Sequence, residues 1–396
     1  MKPLASRTDA LRQSDIRAVT FAVNAVDGIN LGQGICDLPT PDPIKAGAHA
    51  AIDGDKSIYT AYAGIAKLRA GIAEKARSYN GLPVDSDDEV MVSVGSTGAF
   101  VATCLALFEP GDEIVVFEPF YGYHTGLLDL FGVTRKVARL AAPDWSIDFD
   151  AVEALVTERT KAVLVCTPSN PCGKVWNRAE LERMQAIAER HDLWVITDEI
   201  YEYMTYDGRE HVSFGSLPGA YERTVTLSGF SKTYNMTGWR LGYAVGPEEV
   251  IGRMGLISDL IYICAPSPLQ HGVAEAFEMD RAAYFDEMQA AYAAKRTLMC
   301  ETLERCGFDF AWPEGAYYVL ANFEALAKKR AGFEDDQAAC ATLIEEAGVA
   351  AVPGNSFFAD PEDGRYFLRF CYAKRMPVLE EACRNLLAAF EQQIPA

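Results

Sequence analysis

The residues best suited to chemistry lie in a short segment, residues 228–243, which reads SGFSKTYNMTGWRLGY. Lys232 stands among small, apolar and aromatic residues, and Arg240 follows eight positions later. A lysine amine becomes a nucleophile only where apolar or cationic surroundings lower its pKa from about 10.4, and such an amine can form an imine with an aldehyde. Arginine offers a planar, permanently charged set of donors for phosphate. The segment lies between two β-rich runs, which predicts a loop at the edge of a sheet.

Two further positions place polar groups where a parallel sheet binds ligands. Asp198 directly follows an apolar run, so its carboxylate is expected at the carboxyl end of a strand. The turn formed by Gly95, Ser96 and Thr97 follows another apolar run and opens a helix. Backbone N–H groups and the helix dipole at such a turn favour a phosphate. A local anion site of this kind is needed because the chain carries a net charge of −20.

The elements that must position these residues can be read from the hydrophobic pattern. Short β-rich runs alternate with amphipathic stretches between residues 88 and 246, and capping-box spacing at Asn177 and at Asp150 predicts two helix starts. This alternation predicts an α/β fold whose large domain has a mostly parallel seven-stranded sheet sandwiched by helices. The predicted strands cover residues 89–94, 113–117, 134–140, 161–167, 193–197, 224–227 and 241–245.

The character of the chain changes after residue 268. Residues 272–305 are nearly all helix-forming, and strand candidates follow at 316–322 and 366–371. A chain of 396 residues exceeds what one hydrophobic core usually holds. We therefore expect a large domain over residues 46–285, which contains the lysine segment, and a smaller α+β domain, discontinuous in sequence, over residues 1–45 and 286–396.

Composition and charge exclude several classes of protein. Thirty-six basic against 56 acidic residues would repel nucleic acids and anionic membranes, so neither is an expected partner. The longest clean apolar run, residues 101–108, is too short to span a bilayer, and the first residues lack the apolar core of a signal peptide. The ten cysteines are scattered without a C-x-x-C pair, which predicts reduced thiols, no metal site and a cytoplasmic location.

The lysine segment closely resembles the cofactor-lysine signature of the fold type I, class I/II pyridoxal-phosphate-dependent aminotransferases. The resemblance is nearest to the aspartate, aromatic and kynurenine aminotransferase branch, and it extends over residues 30–372. The remaining motifs occur in the family's order: LGQG at 31–34, YT at 59–60, GSTGA at 95–99, EPFY at 118–121, PSNPCG at 168–173, DEIY at 198–201, and VPG at 352–354 with FLR at 367–369.

This resemblance implies that pyridoxal 5′-phosphate is the cofactor and assigns the catalytic roles. Lys232 is implied to bind the cofactor's aldehyde as an imine and, once displaced by substrate, to move the proton. Asp198 is implied to keep the ring nitrogen protonated, which makes the ring an electron sink. Asn170 and Tyr201 correspond to the residues that hydrogen-bond the ring oxygen, and Tyr121 to the aromatic residue that stacks on the ring. For isolated residues, a helix N-cap, a turn asparagine and a core tyrosine remain the alternatives.

The resemblance also implies a phosphate site, a substrate site and a partner subunit. Tyr59 resembles the tyrosine that reaches the phosphate of the neighbouring subunit, which implies a homodimer with shared active sites. Arg369 corresponds to the arginine that binds the substrate's α-carboxylate, where the alternative is a surface salt bridge. Gly34 and Asn170 are implied to contact the substrate beside it. The residues implied to hold the phosphate are Gly95, Ser96, Thr97, Ser231 and Arg240.

Two departures from the family pattern bear on substrate and cofactor binding. Gly229 stands where many members carry a serine, so one phosphate contact is expected to be missing or replaced. Dicarboxylate-specific members use a second arginine donated across the dimer, yet residues 255–280 contain no arginine or lysine. A neutral or aromatic substrate is therefore expected rather than a strictly dicarboxylic one. The residues that could form an apolar side-chain pocket, or could all be core, are Met236, Tyr262, Ile263 and Phe357.

The reaction implied is a ping-pong transfer of the amino group from an amino acid to a 2-oxo acid, either 2-oxoglutarate or pyruvate. A β-lyase of the same fold is the alternative, because the same lysine, aspartate and arginines would serve it. Release of pyruvate and ammonia would identify the lyase, whereas stoichiometric formation of a 2-oxo acid and a new amino acid would identify the transferase.

Overall fold

The computed structural model describes residues 2–8 and 15–391, which contain thirteen β-strands and fourteen α-helices. The strands are β1 (Ile29–Asn30), β2 (Val90–Val94), β3 (Glu113–Glu118), β4 (Thr134–Ala141), β5 (Ser146–Ile147), β6 (Thr160–Cys166), β7 (Trp194–Asp198), β8 (Thr224–Gly229), β9 (Leu241–Val245), β10 (Tyr318–Asn322), β11 (Val349–Ala350), β12 (Val352–Pro353) and β13 (Phe367–Cys371). The helices are α1 (Asp15–Asn24), α2 (Asp42–Asp53), α3 (Ala66–Lys75), α4 (Gly95–Leu107), α5 (Gly122–Phe131), α6 (Phe149–Ala154), α7 (Arg178–Arg190), α8 (Glu248–Tyr262), α9 (Ser267–Ala274), α10 (Arg281–Arg305), α11 (Glu324–Ala327), α12 (Asp336–Ala347), α13 (Pro361–Gly364) and α14 (Met376–Glu391).

The large sheet has the strand order β2-β9-β8-β7-β6-β3-β4-β5. Its five central strands, β8 to β4 in that order, pair in parallel, while β9 runs antiparallel to both of its neighbours. All seven predicted strands are confirmed, and their ends agree to within two residues. The eighth strand, β5, was not predicted because two residues are too few to carry a hydrophobic pattern. The parallel strands end on one side, so the loops after β6, β7 and β8 meet there.

The starts of two helices test the predicted caps. Asn177 begins α7 as predicted: its Oδ1 accepts from the backbone N–H of Glu180 at 3.0 Å, and the Glu180 carboxylate accepts from the N–H of Asn177 at 3.0 Å. The cap predicted at Asp150 is wrong. The Asp148 carboxylate accepts from the backbone N–H groups of Asp150 and Ala151, both at 3.1 Å, so the chain enters α6 two residues earlier.

The rest of the chain forms two small sheets, β10-β13-β12 and the parallel pair β1-β11. The predicted strands at 316–322 and 366–371 are confirmed as β10 and β13. One hydrophobic cluster joins residues 19–36, 200–206 and 288–389, while three other clusters surround the large sheet. The predicted domain boundary at 285/286 falls inside α10, and the division into 46–285 and the two flanking segments stays a prediction. Among the described residues, no helix combines the length and apolarity needed to cross a membrane.

Candidate active site

A cavity of about 520 Å³ lies at the edge of the large sheet, where β6, β7 and β8 end and α4 begins. Eleven of the thirteen predicted site residues line this cavity, and Gly95 and Tyr59 do not. The lining residues that the sequence predicted are Gly34, Ser96, Thr97, Tyr121, Asn170, Asp198, Tyr201, Ser231, Lys232, Arg240 and Arg369. Residues separated by more than 300 positions in the chain therefore face one cavity.

Lys232 is held in the loop that follows β8, with its side chain only partly exposed. Its Nζ donates a hydrogen bond to the backbone carbonyl of Gly34 at 2.8 Å. Burial lowers the pKa of the Lys232 amine from 10.5 to about 8, and the positive charges of Arg369 and Arg240 act in the same direction. Since the amine is so much less basic than in water, its neutral, nucleophilic form is populated near neutral pH.

Asp198 is the last residue of β7, and its buried carboxylate faces the same cavity. One carboxylate oxygen lies 3.1 Å from Nε2 of His124, and the other accepts from the backbone N–H of Ile200 at 3.2 Å. His124 is buried on α5, against the rings of Phe100 and Tyr121. These contacts fix the direction of the carboxylate, so the negative charge has a defined position in the cavity wall.

Arg369 lies in the middle of β13 and is only 1% exposed. Its Nη1 donates to the side-chain oxygen of Asn170 at 2.8 Å, and its Nη2 donates to the carbonyl of Gly32 at 2.7 Å. Its Nε is buried without a hydrogen-bond partner. The guanidinium is thus oriented by neutral oxygens, and the alternative of a surface salt bridge is wrong because the group is buried. An unpaired buried guanidinium is a strong site for a carboxylate.

A group of tyrosines fixes the wall between Lys232 and Arg369. The hydroxyls of Tyr201 and Tyr318 lie 3.1 Å apart, and the Tyr318 ring centroid is 4.3 Å from the Arg369 guanidinium. A Cβ atom at Gly34 would lie 1.9 Å from the Tyr318 hydroxyl, so only glycine fits there. The sequence therefore needs a glycine at position 34 to let the chain pass close beneath the tyrosine.

The start of α4 forms a turn that is open to an anion. Gly95 has a φ of +66°, which glycine adopts without strain, and its N–H donates to the Arg240 carbonyl at 3.0 Å. A Cβ atom at Gly95 would lie 2.4 Å from Nη2 of Arg240, so the arginine packs directly over the turn. Ser96 and Thr97 follow on the first turn of α4 and line the cavity, as does Ser231 from the lysine loop. Helix N–H groups, hydroxyls and a guanidinium together suit a phosphate.

Comparison with known proteins identifies the family of this chain. The family model for aminotransferase class I and II matches residues 26–386. The chain belongs to this family. It is 32% identical over 382 residues to aromatic-amino-acid aminotransferase 2 of Thermococcus litoralis, with 96% of each chain covered. It is 30% identical over 381 residues to human kynurenine–oxoglutarate transaminase 1, covering 89% of this chain and 90% of the relative.

Solved structures agree with this membership. N-succinyldiaminopimelate aminotransferase from Mycobacterium tuberculosis superposes with a TM-score of 0.92 at 32% identity, covering 98% of this chain and all of the other. The aromatic aminotransferase from Pyrococcus horikoshii gives a TM-score of 0.86 at 31% identity, covering 95% and 99%. The resemblance read from the sequence motifs is confirmed, and so is the α/β fold of the fold type I aminotransferases.

Two of the cavity residues that were given no role from the sequence contact charged site residues in this aminotransferase. His124 was given no role from the sequence, yet it contacts the Asp198 carboxylate. Tyr318 was not singled out, although it touches Tyr201 and Arg369. The available signals were the position of His124 three residues after Tyr121 and the place of Tyr318 in a predicted strand. Neither signal indicates a contact that the folded chain makes over tens of residues.

The side-chain pocket also differs from the expectation. None of the four suggested apolar residues lines the cavity: Met236 and Phe357 are buried in hydrophobic clusters, and Tyr262 and Ile263 lie at the end of α8. The apolar residues at the cavity rim are instead Ile35, Tyr123 and Leu127.

Proposed function

We propose that this aminotransferase uses pyridoxal 5′-phosphate to move the amino group of a neutral or aromatic amino acid to a 2-oxo acid, 2-oxoglutarate or pyruvate, in a ping-pong reaction. The observation that carries the proposal is that Lys232, with a pKa lowered to about 8, shares one cavity with the fixed Asp198 carboxylate. Amino transfer is also the reaction named in the relatives from Thermococcus litoralis and human.

The residues of the cavity fit this cofactor. The turn at Gly95 and Arg240 is open to an anion such as its phosphate, and the cavity's volume of about 520 Å³ admits its ring. When bound, the cofactor would supply an aldehyde that exchanges between amines and a ring that withdraws electrons. Asp198, oriented by His124, would hold the ring nitrogen in its protonated form. Asn170 and Tyr201 would donate to the ring oxygen, and Tyr121 would cover the ring.

Lys232 would move the proton of the reaction. Its Nζ would accept a proton from Cα of the amino-acid donor in one half of the exchange and donate a proton to Cα of the newly formed amino acid in the other half. A pKa of about 8 suits both directions, because the protonated and the neutral amine are then both accessible near neutral pH. Arg369 would hold the α-carboxylate of either substrate, since its guanidinium is buried and its Nε has no partner.

The cavity rim supports the preference for a neutral or aromatic donor. Ile35 and Tyr123 are partly exposed at the rim, 38% and 48%, and Leu127 lies beside them. A donor side chain that covers these residues would remove apolar surface from water, which favours binding by about 25 cal/mol per Å². Gly229, the predicted departure at the phosphate site, does not line the cavity, and the consequence expected for phosphate binding stays a prediction.

A homodimer with shared active sites is part of the proposal. Tyr59 is 76% exposed and lies outside the cavity of its own chain, as a residue that serves a neighbouring subunit would. Ile58 beside it is 79% exposed, and the Tyr62 ring packs on Gly255 of α8, which also exposes Leu260 at 88%. Exposed apolar surface of this kind typically marks a protein interface. Sedimentation of the purified protein tests the dimer.

Substrate profiling tests the reaction itself. The purified protein, loaded with cofactor, would be assayed with each of the twenty amino acids against 2-oxoglutarate and against pyruvate, and kcat/KM recorded. We expect the highest values for aromatic and other neutral donors, with one 2-oxo acid formed for each acceptor consumed. Release of pyruvate and ammonia without consumption of an acceptor would instead identify the β-lyase and contradict the proposal.

A further inference from the structure

Among the described residues, four lysine and arginine side chains line the cavity. They are Arg17, Lys232, Arg240 and Arg369. The proposed function uses three of them, for the proton, the phosphate and the α-carboxylate. Arg17 remains without a role. It is exposed, and the salt bridges of the described residues include no carboxylate partner for it.

The fold holds Arg17 at the cavity mouth through the inner face of α1. Val19 and Val23 are buried in the hydrophobic cluster that also contains Leu31, and the Asn30 side-chain amide donates to the Thr20 hydroxyl at 3.0 Å. These contacts anchor α1 to the chain that follows it. The guanidinium therefore projects from an anchored helix, while the arginine itself is free to change rotamer.

The charges around the cavity favour an anion at this position. Asp198 is the single carboxylate among the described residues that line the cavity, and it is engaged by His124. Arg17 thus lines a cavity whose positive side chains outnumber its negative ones, within a protein of net charge −20. A guanidinium without a carboxylate partner binds a carboxylate by charge-assisted, bidentate hydrogen bonds. The arginine is also exposed, so moving it aside leaves no buried charge unpaired.

We infer that Arg17 binds the distal carboxylate of a dicarboxylic 2-oxo acid, which makes it the specificity residue for the acceptor in the proposed reaction. This inference rests on the proposed function. Arg369 would hold the α-carboxylate at the floor and Arg17 the second carboxylate at the mouth. The apolar rim of Ile35, Tyr123 and Leu127 would receive the donor's side chain when Arg17 turns away. The protein would then accept both a dicarboxylic 2-oxo acid and an apolar amino acid. It would do so although residues 255–280 contain no arginine or lysine that could bind the second carboxylate.

Acceptor discrimination in Arg17→Gln tests the inference in the cofactor-loaded protein. With one aromatic donor, phenylalanine, kcat/KM would be compared for 2-oxoglutarate and pyruvate. Loss of a charge-assisted hydrogen bond should lower kcat/KM for 2-oxoglutarate at least about tenfold and change the value for pyruvate less than about twofold. Arg17→Lys should restore part of the preference for 2-oxoglutarate over pyruvate, because lysine keeps the positive charge but lacks the paired donors of the planar guanidinium. Arg178→Gln, an exposed arginine at the start of α7 outside the cavity, is the matched control and should change neither value.

A binding measurement tests the role of Arg17 independently of whether the proposed reaction takes place. Glutarate has the two carboxylates of 2-oxoglutarate without its carbonyl, and butyrate has one, so calorimetric titration with each needs no turnover. The unmodified protein should bind glutarate at least about tenfold more tightly than butyrate, and Arg17→Gln should remove that difference. Equal affinities in the unmodified protein, or a preference that survives in Arg17→Gln, would overturn the role of Arg17. Absence of turnover with every donor would refute the proposed function alone.

Discussion

Two lysines occupy interior positions of this aminotransferase in opposite surroundings. Lys75, at the end of α3, is 4% exposed, and its Nζ forms a salt bridge with Glu202 and donates to the Tyr243 hydroxyl at 3.1 Å. Lys232 donates only to a backbone carbonyl, and the charges that act most strongly to lower its pKa are those of Arg369 and Arg240. Burial is common to both sites, yet one holds a counter-ion and the other holds further cations.

The difference teaches that the neighbours, and not burial alone, decide what a buried lysine can do. Around Lys75, the rings of Tyr79 and Tyr203 lie 5.5 Å from Nζ, and their faces favour a cation. Burial by itself would raise the pKa of Glu202, but Lys75 and the other donors hold it below its ordinary value. Lys75 and Glu202 therefore form a structural pair of opposite charges, whereas Lys232 has no counter-ion and a lowered pKa, as the proposed role of a reactive base requires.

The largest effect should come from removing the amine of Lys232, the proposed base. Lys232→Ala should lower turnover by roughly 10²–10⁴-fold or more, because no other lysine lines the cavity among the described residues and general base catalysis is worth about that factor. The double variant Lys75→Met with Glu202→Gln is the matched control, since neither residue lines the cavity. Its turnover per folded molecule should stay within about threefold of the unmodified protein. Equal losses in both variants would show that the two lysines do not differ in role.

The next effect concerns stability and should belong to the structural lysine. Lys75→Met alone leaves the buried Glu202 carboxylate without its salt bridge, which should lower the free energy of unfolding by about 3–5 kcal/mol. Chemical denaturation monitored by fluorescence measures this change. Adding Glu202→Gln should recover most of the loss, because the unpaired charge is then gone. If the single and double variants were equally unstable, the pair would not be the cause.

The smallest effect is a pH dependence of stability. Its sign is opposite to that expected for a lysine in a salt bridge, because the pKa of Lys232 is lowered and not raised. The folded-state pKa of Lys232 is about 8, below the unfolded value of 10.5, so the unfolded chain binds more protons between these two values. The penalty, at most about 3 kcal/mol before screening by water, is fully present below pH 8 and disappears as the pH rises to 10.5. Lys232→Met in cofactor-free protein should therefore be more stable than the unmodified chain at pH 7.5.

That stability gap should narrow steadily between pH 8 and 10, as measured by urea denaturation at several pH values. Lys161→Met, which changes an exposed lysine at the start of β6, is the matched control, and its difference from the unmodified protein should stay nearly constant over the same range. A gap for Lys232→Met that does not vary with pH would mean that the amine is not desolvated in the folded protein.

The same pair of lysines shows what the sequence could predict. Lys232 stands in a local motif next to Arg240, and the seven strands follow from apolar runs, so both the fold and the centre of the site were accessible. Lys75 lies in an ordinary helical stretch, AKLRAGIAEK, that resembles a surface helix. Its burial depends on the π-helical turn at Ala76–Asn80 and on Glu202, a residue more than 120 positions later. No local pattern contains that information.

The cavity shows the same division between local and distant signals. The turn at Gly95 and the position of Asp198 follow from strand ends, which chain order determines. The contact of His124 with Asp198 and that of Tyr318 with Arg369 depend on the packing of elements 74 and 51 residues apart. Of the two predicted helix starts, the one at Asn177 is correct because no other capping residue lies nearby, and the one at Asp150 is wrong because Asp148 takes that role.

The antiparallel direction of β9 bears on which part of the candidate site is lost first when the protein is heated. Because the chain reverses between β8 and β9, Lys232 and Arg240 belong to one connection at one edge of the sheet. Their separation is limited by the short loop that joins them. Arg369 and Gly34 come instead from elements that pack in a separate hydrophobic cluster. If the proposed roles hold, loosening of that cluster on gradual heating would weaken the substrate site at Arg369 first, while the proposed phosphate site at Gly95 and Arg240 stays in place.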